Sequence, residues 1–208
     1  FNELGCEVLA KDTSSIVMAK GLLLKSSFKE FEQIGKVCIK DVNLFLKIIK
    51  NYSAEVEIEK KENKLLLSSG NKVTTLGLSK EDYIQSKLDK EPPLTYSGEI
   101  VLDSEVLKGA SKHMDIVGSE NLIFSIKDKK LNIVTGMDDK IEEVIDVESG
   151  DVKIAKFGVL IKDIIKNLEG NIKLHLKENY PLKIIEDNEY MRVVSIIAPL
   201  IVEDKEKK

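Results

Sequence analysis

Only one residue of 208, Arg192, is an arginine, and only Cys6 and Cys38 are cysteines. The first scarcity removes bidentate guanidinium clamps and leaves lysine to carry nearly all the positive charge. The second excludes a disulfide-stapled scaffold. A chain of this length needs no staples, so a reducing, cytosolic setting is expected, with free half-buried thiols favoured over a Cys6–Cys38 bridge. No apolar run approaches ~20 residues, so no membrane-spanning helix is expected. The phosphate loop G-x-x-x-x-G-K-[ST], the dinucleotide turn G-x-G-x-x-G and the nucleophile elbow G-x-S-x-G are all missing. His113 and His175 lack neighbours at metal-ligand spacing. His175 alternates within a strand and is expected at the surface, while His113 is expected on a polar helix face. Neither a catalytic residue nor a cofactor is expected.

The composition is 42% hydrophobic and 33% charged, with a formal net charge of −4. Such a chain folds, and its length allows one large or two modest domains. Its most informative feature is repetition. Residues 157–187 put Leu160, Ile161, Ile164, Ile165 and Leu168 on one helical face. Period-two alternation over 171–176, turn residues Lys177–Asn179 and a strand starting at Pro181 follow. The same order of helix, strand, tight turn and strand recurs over 43–69, with Phe45, Ile48, Ile49 and Tyr52 inward. It recurs again over 103–135, with Val106, Leu107, Ala110 and Met114 inward. Residues 5–24 read as strand, turn and strand without a helix, so further residues are expected upstream of Phe1. Four such units make two pairs, separated by a polar stretch that contains Pro92-Pro93. The resulting division is 1–78, a connecting loop at 79–98, and 99–208.

Lysine recurs with the units. Lys47 and Lys50, Lys108 and Lys112, and Lys162 and Lys166 each lie one turn apart, opposite the apolar face. Asp115 and Asp163 are interspersed, so the face is mixed in charge. Repeated lysine faces on an acidic protein point to a polyanionic ligand. Without arginine, a recognition helix or many aromatics, base reading is not expected, and contacts to phosphate alone give sequence-independent binding that permits sliding. The acidic group Asp138, Asp139, Glu142, Glu143 and Asp146 has donors suited to a divalent cation. It also alternates with Ile141, Val144 and Ile145, as an edge strand guarded by charge does. The edge-strand reading is favoured, and no metal is expected.

Two segments carry a resemblance to a known family. The tail "NYPLKIIEDNEYMRVVSIIAPLIVED" resembles the carboxyl end of the PCNA-type DNA sliding clamps of archaea and eukaryotes, where a D/E-Y-P-L strand leads to a closing L-A-P-[RK]-[IV]-E. "GCEVLAKDTSSIVMAKGLLLKSSF" is similar to their G-x-x-x-x-x-x-D-x-S-x-V region. Leu200 stands where that family usually has a basic residue, and Lys11 where an apolar one is common.

The resemblance implies an α+β clamp fold of two similar domains, in a ring of three subunits with sheets outside and lysine-bearing helices lining the hole. It implies a processivity factor without catalytic activity, whose partners are double-stranded DNA, DNA polymerase, a clamp loader and other proteins with clamp-binding peptides. The implied peptide pocket is Ile16, Leu88, Leu94, Pro181, Ile196, Ala198, Pro199 and Ile201. The implied subunit contact joins the strand near 72–78, with Lys72, Val73 and Leu76, to the strand near 139–147 of the next copy, with Ile141, Glu142, Val144 and Ile145. The implied location is nuclear in a eukaryote, or cytoplasmic and nucleoid-associated in an archaeon or virus. A subunit of a heterotrimeric or checkpoint-type ring is the neighbouring alternative, and a metal enzyme built on the acidic group a remote one.

Overall fold

The computed structural model describes residues 1–11, 14, 16–80, 93–136 and 139–201. Its hairpins follow from local turn chemistry. Strand β7 (Asn121–Lys127) reverses into β8 (Lys130–Thr135) through Asp128 and Lys129, at φ 52° and 61°. Positive φ at both central residues matches the twist of the flanking strands. Strand β3 (Glu57–Lys61) reverses into β4 (Lys64–Ser69) with Glu62 at φ 50°. Entry to β9 (Ile141–Asp146) depends on Gly136 at φ 85°, where an added Cβ would lie 2.0 Å from the carbonyl oxygen of Asp139. Only glycine accepts that bend.

The first part of the chain builds a small layer. Strands β3, β4 and β5 (Lys72–Gly77) form a three-stranded antiparallel sheet. Helix α1 (Val42–Lys50) starts at Asp41, whose carboxylate accepts from the Leu44 N–H at 2.9 Å. Such a cap satisfies one of the orphan donors of the first turn. Tyr52, just past the helix, donates its hydroxyl proton within a pair of contacts to Leu67 O (2.9 Å) and Thr74 Oγ1 (2.8 Å). These contacts tie the helix end to β4 and β5. Beneath them Leu65 and Leu67 are buried.

The later part is deeper. Strand β10 (Val152–Gly158) joins β7, β8 and β9 in the order β10-β7-β8-β9. The largest sheet has the order β1-β2-β13-β12-β11-β6. It is built from β1 (Gly5–Lys11), β2 (Val17–Leu24), β6 (Gly98–Asp103), β11 (Asn171–Leu176), β12 (Leu182–Asp187) and β13 (Met191–Ile197). Helix α2 (Ser104–Ile116) buries Leu107, Ala110 and Met114 against β6, β7 and β8, as its spacing predicts. Phe124 and Phe157 meet edge to face, with ring centroids 5.9 Å apart, in the same core.

Two expectations need correction. Helix α3 spans only Ile161–Ile165 and does not continue through Leu168. Past it the Asn167 and Leu168 N–H groups donate to the carbonyls of Ile164 and Ile165, a tighter winding. The chain must then turn at Gly170 (φ 59°), whose carbonyl accepts from the Ser104 N–H. Leu168 stays buried regardless. His175 is half-buried, where a surface position was expected. Its ring faces Tyr96 at 5.3 Å, and Nδ1 lies 3.6 Å from a Glu99 carboxylate oxygen. Strand alternation gave the correct outward direction, but the segment entering β6 covers that face.

Candidate nucleic-acid interface and partner surfaces

Helices α2 and α3 present four of the six recurring lysines, and three of these are engaged by carboxylates. Lys108 Nζ lies 2.8 Å from Glu105 Oε1, at i,i+3 on α2. Lys162 of α3 is paired with Asp115 of α2, across the two helices. Lys166, the residue that closes α3, lies 2.6 Å from Asp163 Oδ1. Lys112, Lys47 and Lys50 have no ion-pair partner among the described residues. The hydrogen bond to Glu105 and the nearby carboxylates of Glu169 and Asp103 raise the pKa of Lys108 above its usual value. Under this layer Glu186 of β12 is only 4% exposed, and its Oε1 has no hydrogen-bond partner among the described residues. Burial, reinforced by Glu169, pushes its carboxyl pKa up. Spacing at i,i+3 could have flagged the Glu105–Lys108 pair in the sequence; nothing local could have flagged Asp115–Lys162.

The residues assigned to a peptide pocket mostly converge at one end of the large sheet. The Ala198 N–H donates to Ile16 O at 2.8 Å. Leu182 pairs with Ile197, which sets Pro181 and Ala198 at the adjoining positions. Ile197 points into the main core, while Ile196 points the other way. There it packs with Ile185 and Val194, and Met18 and Leu94 cover them. Met18 lies opposite Ile196 in the β2–β13 ladder, a contribution the sequence reading missed. Pro199 is half-buried, and Ile201 is 74% exposed. Leu88 lies outside the described residues.

Among the strands that end a sheet, β5 and β9 are the two assigned to a subunit contact. Strand β5 ends its sheet on one side and β9 ends its own on one side. Val73 and Val144 are exposed there, whereas Ile141 and Ile145 lean toward their own core. Lys72 lies 4.4 Å from the centre of the Tyr52 ring, and its Nζ donates to Asn51 O at 3.2 Å. Of the acidic group, Glu142 is 3.5 Å from Lys140, and Glu143 reaches 3.5 Å from His113 Nδ1 on α2. Among the described residues no three His, Cys, Asp or Glu side chains converge as metal ligands; Asp138 lies outside them.

These edges can be read through the repeat. Strands β3-β4-β5 follow α1 in the same way that β11-β12-β13 follow α3. Hairpin β1–β2 corresponds likewise to β8–β9. Within the chain β2 is joined to β13 along seven residue pairs, from Met191↔Leu23 to Ile197↔Val17. The corresponding partners, β9 and β5, each end a sheet instead and do not pair with one another within the chain.

Paired helix-and-sheet units joined inside the chain through β2 and β13, with the equivalent strands β9 and β5 at sheet edges, are the arrangement of the α+β DNA clamp fold. No family model matches the chain. A DNA polymerase sliding clamp from Methanosarcina barkeri is 25% identical over 219 residues, covering 98% of this chain and 89% of that protein. A solved structure of A. fulgidus PCNA with the C-terminal region of FEN-1 bound superposes with a TM-score of 0.84, at 24% identity, covering 98% of this chain and 89% of that one. PCNA from Entamoeba histolytica gives a TM-score of 0.79 at 20% identity, covering 97% and 87%. The chain therefore has the architecture of the PCNA-type sliding clamps over nearly its whole length.

Proposed function

We propose that this protein is a DNA sliding clamp: a ring of three copies that encircles duplex DNA and tethers a DNA polymerase and other replication and repair proteins to it. Two clamp domains, 1–78 and 99–208, are joined by the connector 79–98. The lysine-bearing helices face the duplex, and the sheets face outward. Its role is to bind and not to catalyse. Once closed around the duplex, it converts each rebinding of a tethered enzyme into an intramolecular event at high effective concentration. It acts wherever the DNA is, in a nucleus or in nucleoid-bearing cytoplasm.

The observation that carries this reading is the β2–β13 joint. One joint already exists inside the chain, and its repeat-equivalent, β9 with β5, is unformed within the chain, each strand ending its own sheet. Joining β9 of one copy to β5 of the next is a heterologous contact. Such contacts propagate head to tail and close when the rotation per copy suits. The apolar Val73 and Val144 and the unpaired backbone of both edges supply adhesion, while Lys72 and Glu142 favour this pairing over self-pairing of either edge. On the outer face, Ile16, Leu94, Pro181, Ile196, Ala198 and Pro199 offer a seat for the aliphatic and aromatic plug of a partner peptide.

Sedimentation equilibrium tests the ring. The parent should sediment at three times the 23.3 kDa chain mass. Val144→Pro, which removes a ladder donor from an open edge, should sediment as a monomer with an unchanged far-UV circular dichroism spectrum. A twofold dimer of the parent, or a trimeric proline variant, would remove the reading.

A further inference from the structure

The sliding-clamp reading treats the lysine faces as one surface, but the ion pairs divide them. Helix α1 carries Lys47 and Lys50 and contains no acidic residue. On α2 and α3 the lysines Lys108, Lys162 and Lys166 each have their own carboxylate, from Glu105, Asp115 and Asp163. Only Lys112 is left over. A lysine and a carboxylate held together present no net charge to a phosphate backbone. Opening the pair to free the lysine would also bring a bare carboxylate up to the DNA. The Asp115–Lys162 pair additionally bridges two helices, so opening it disturbs the layer itself.

We propose that the grip on duplex DNA comes from Lys47, Lys50 and Lys112, and that the three ion pairs of α2 and α3 stay closed against DNA. The second half then forms a neutral polar wall past which the duplex slides, and the first half supplies the electrostatic hold. This inference rests on the clamp reading and adds to it a division of labour within one subunit. Weak hold at few points keeps the DNA mobile, because counterion release scales with the number of phosphates neutralised.

The test compares three variants of the full chain for binding of a short duplex as salt is varied. Changing Lys47, Lys50 and Lys112 to Gln should lower affinity by more than about tenfold and reduce the slope of log affinity against log salt by about 2–3. Deleting the three pairs whole is the opposing arm. It combines Lys108→Gln, Lys162→Gln and Lys166→Gln with Glu105→Gln, Asp115→Asn and Asp163→Asn, and leaves net charge unchanged. Affinity should stay within about twofold of the parent, and the slope within about 1. Removing the three carboxylates alone should raise affinity several-fold and steepen the slope.

A loss in the pair-deletion variant matching that of the free-lysine variant would show that the pairs open onto phosphate, and would overturn the division while leaving the clamp reading intact. A parent that ignores duplex DNA even at low salt would overturn both. Circular dichroism on each variant separates these outcomes from a failure to fold.

Discussion

The two halves of the molecule are assembled on one plan, yet they are buried to different depths. In residues 1–80 the buried apolar side chains are Cys38, Leu65 and Leu67. Val8, Val42 and Leu44 are exposed at 61%, 59% and 47%. In the second half a continuous core runs from Ile100 to Ile197. The difference lies in four elements. Strands β6, β7 and β10 and helix α2 add to the sheets and layers of the second half, and have no counterpart among the described residues of the first. Burial needs a second layer, because a helix or sheet hides its apolar side only against another element.

That comparison can be broken most directly through the core. Phe124→Ala should cost about 3–5 kcal/mol in urea unfolding, since it opens a cavity between fully packed elements. Leu44→Ala, on the open side of α1, should cost less than about 1 kcal/mol. Comparable losses would mean that the first half is covered as well as the second. A finer probe is Tyr52→Phe, which removes both hydroxyl contacts to β4 and β5 and should cost about 0.5–1.5 kcal/mol. Amide exchange should accelerate in β3–β5 and stay unchanged in β11 and β12. Exchange rising equally in both regions would show that the halves unfold as one unit.

The smallest effect expected is that of Glu186→Gln. The folded-state pKa of this carboxyl is raised, first by burial and then by Glu169. A carboxyl whose folded pKa is raised binds more protons folded than unfolded, so its contribution to stability declines as pH rises above about 4.5. At neutral pH the charged form is buried at a cost. The Gln variant should melt about 1–3 °C above the parent at pH 7, with the advantage vanishing below pH 4. A lower melting temperature at pH 7 would show that the Lys108 charge outweighs burial.

Much of the site was legible along the chain, and what was not has a common cause. The helical spacing of Leu107, Ala110 and Met114, and the period-two alternation over 171–176, predicted which side chains turn inward. The tail beginning at Asn179 was legible as a motif, and within it Ala198 donates its N–H to Ile16 O. Leu88, the connector residue assigned to the same pocket, falls outside the described residues. His175 was misplaced, because the strand showed its direction and not what lies over it. The carboxylates that engage the lysines were visible as interspersed acids, yet their pairing was not.

What the sequence determined by itself is local: the order of helices and strands, the turn positions, and the face each element turns to the core. These follow from periodicities of two and 3.6 residues and from φ preferences, which act over a few residues. Tertiary structure alone decided that β2 joins β13 from the far end of the chain, leaving β5 and β9 open. It also decided that Lys162 meets Asp115, 47 positions away. Such contacts depend on which layers pack together and how the chain returns to close them, and no short window of residues contains that information.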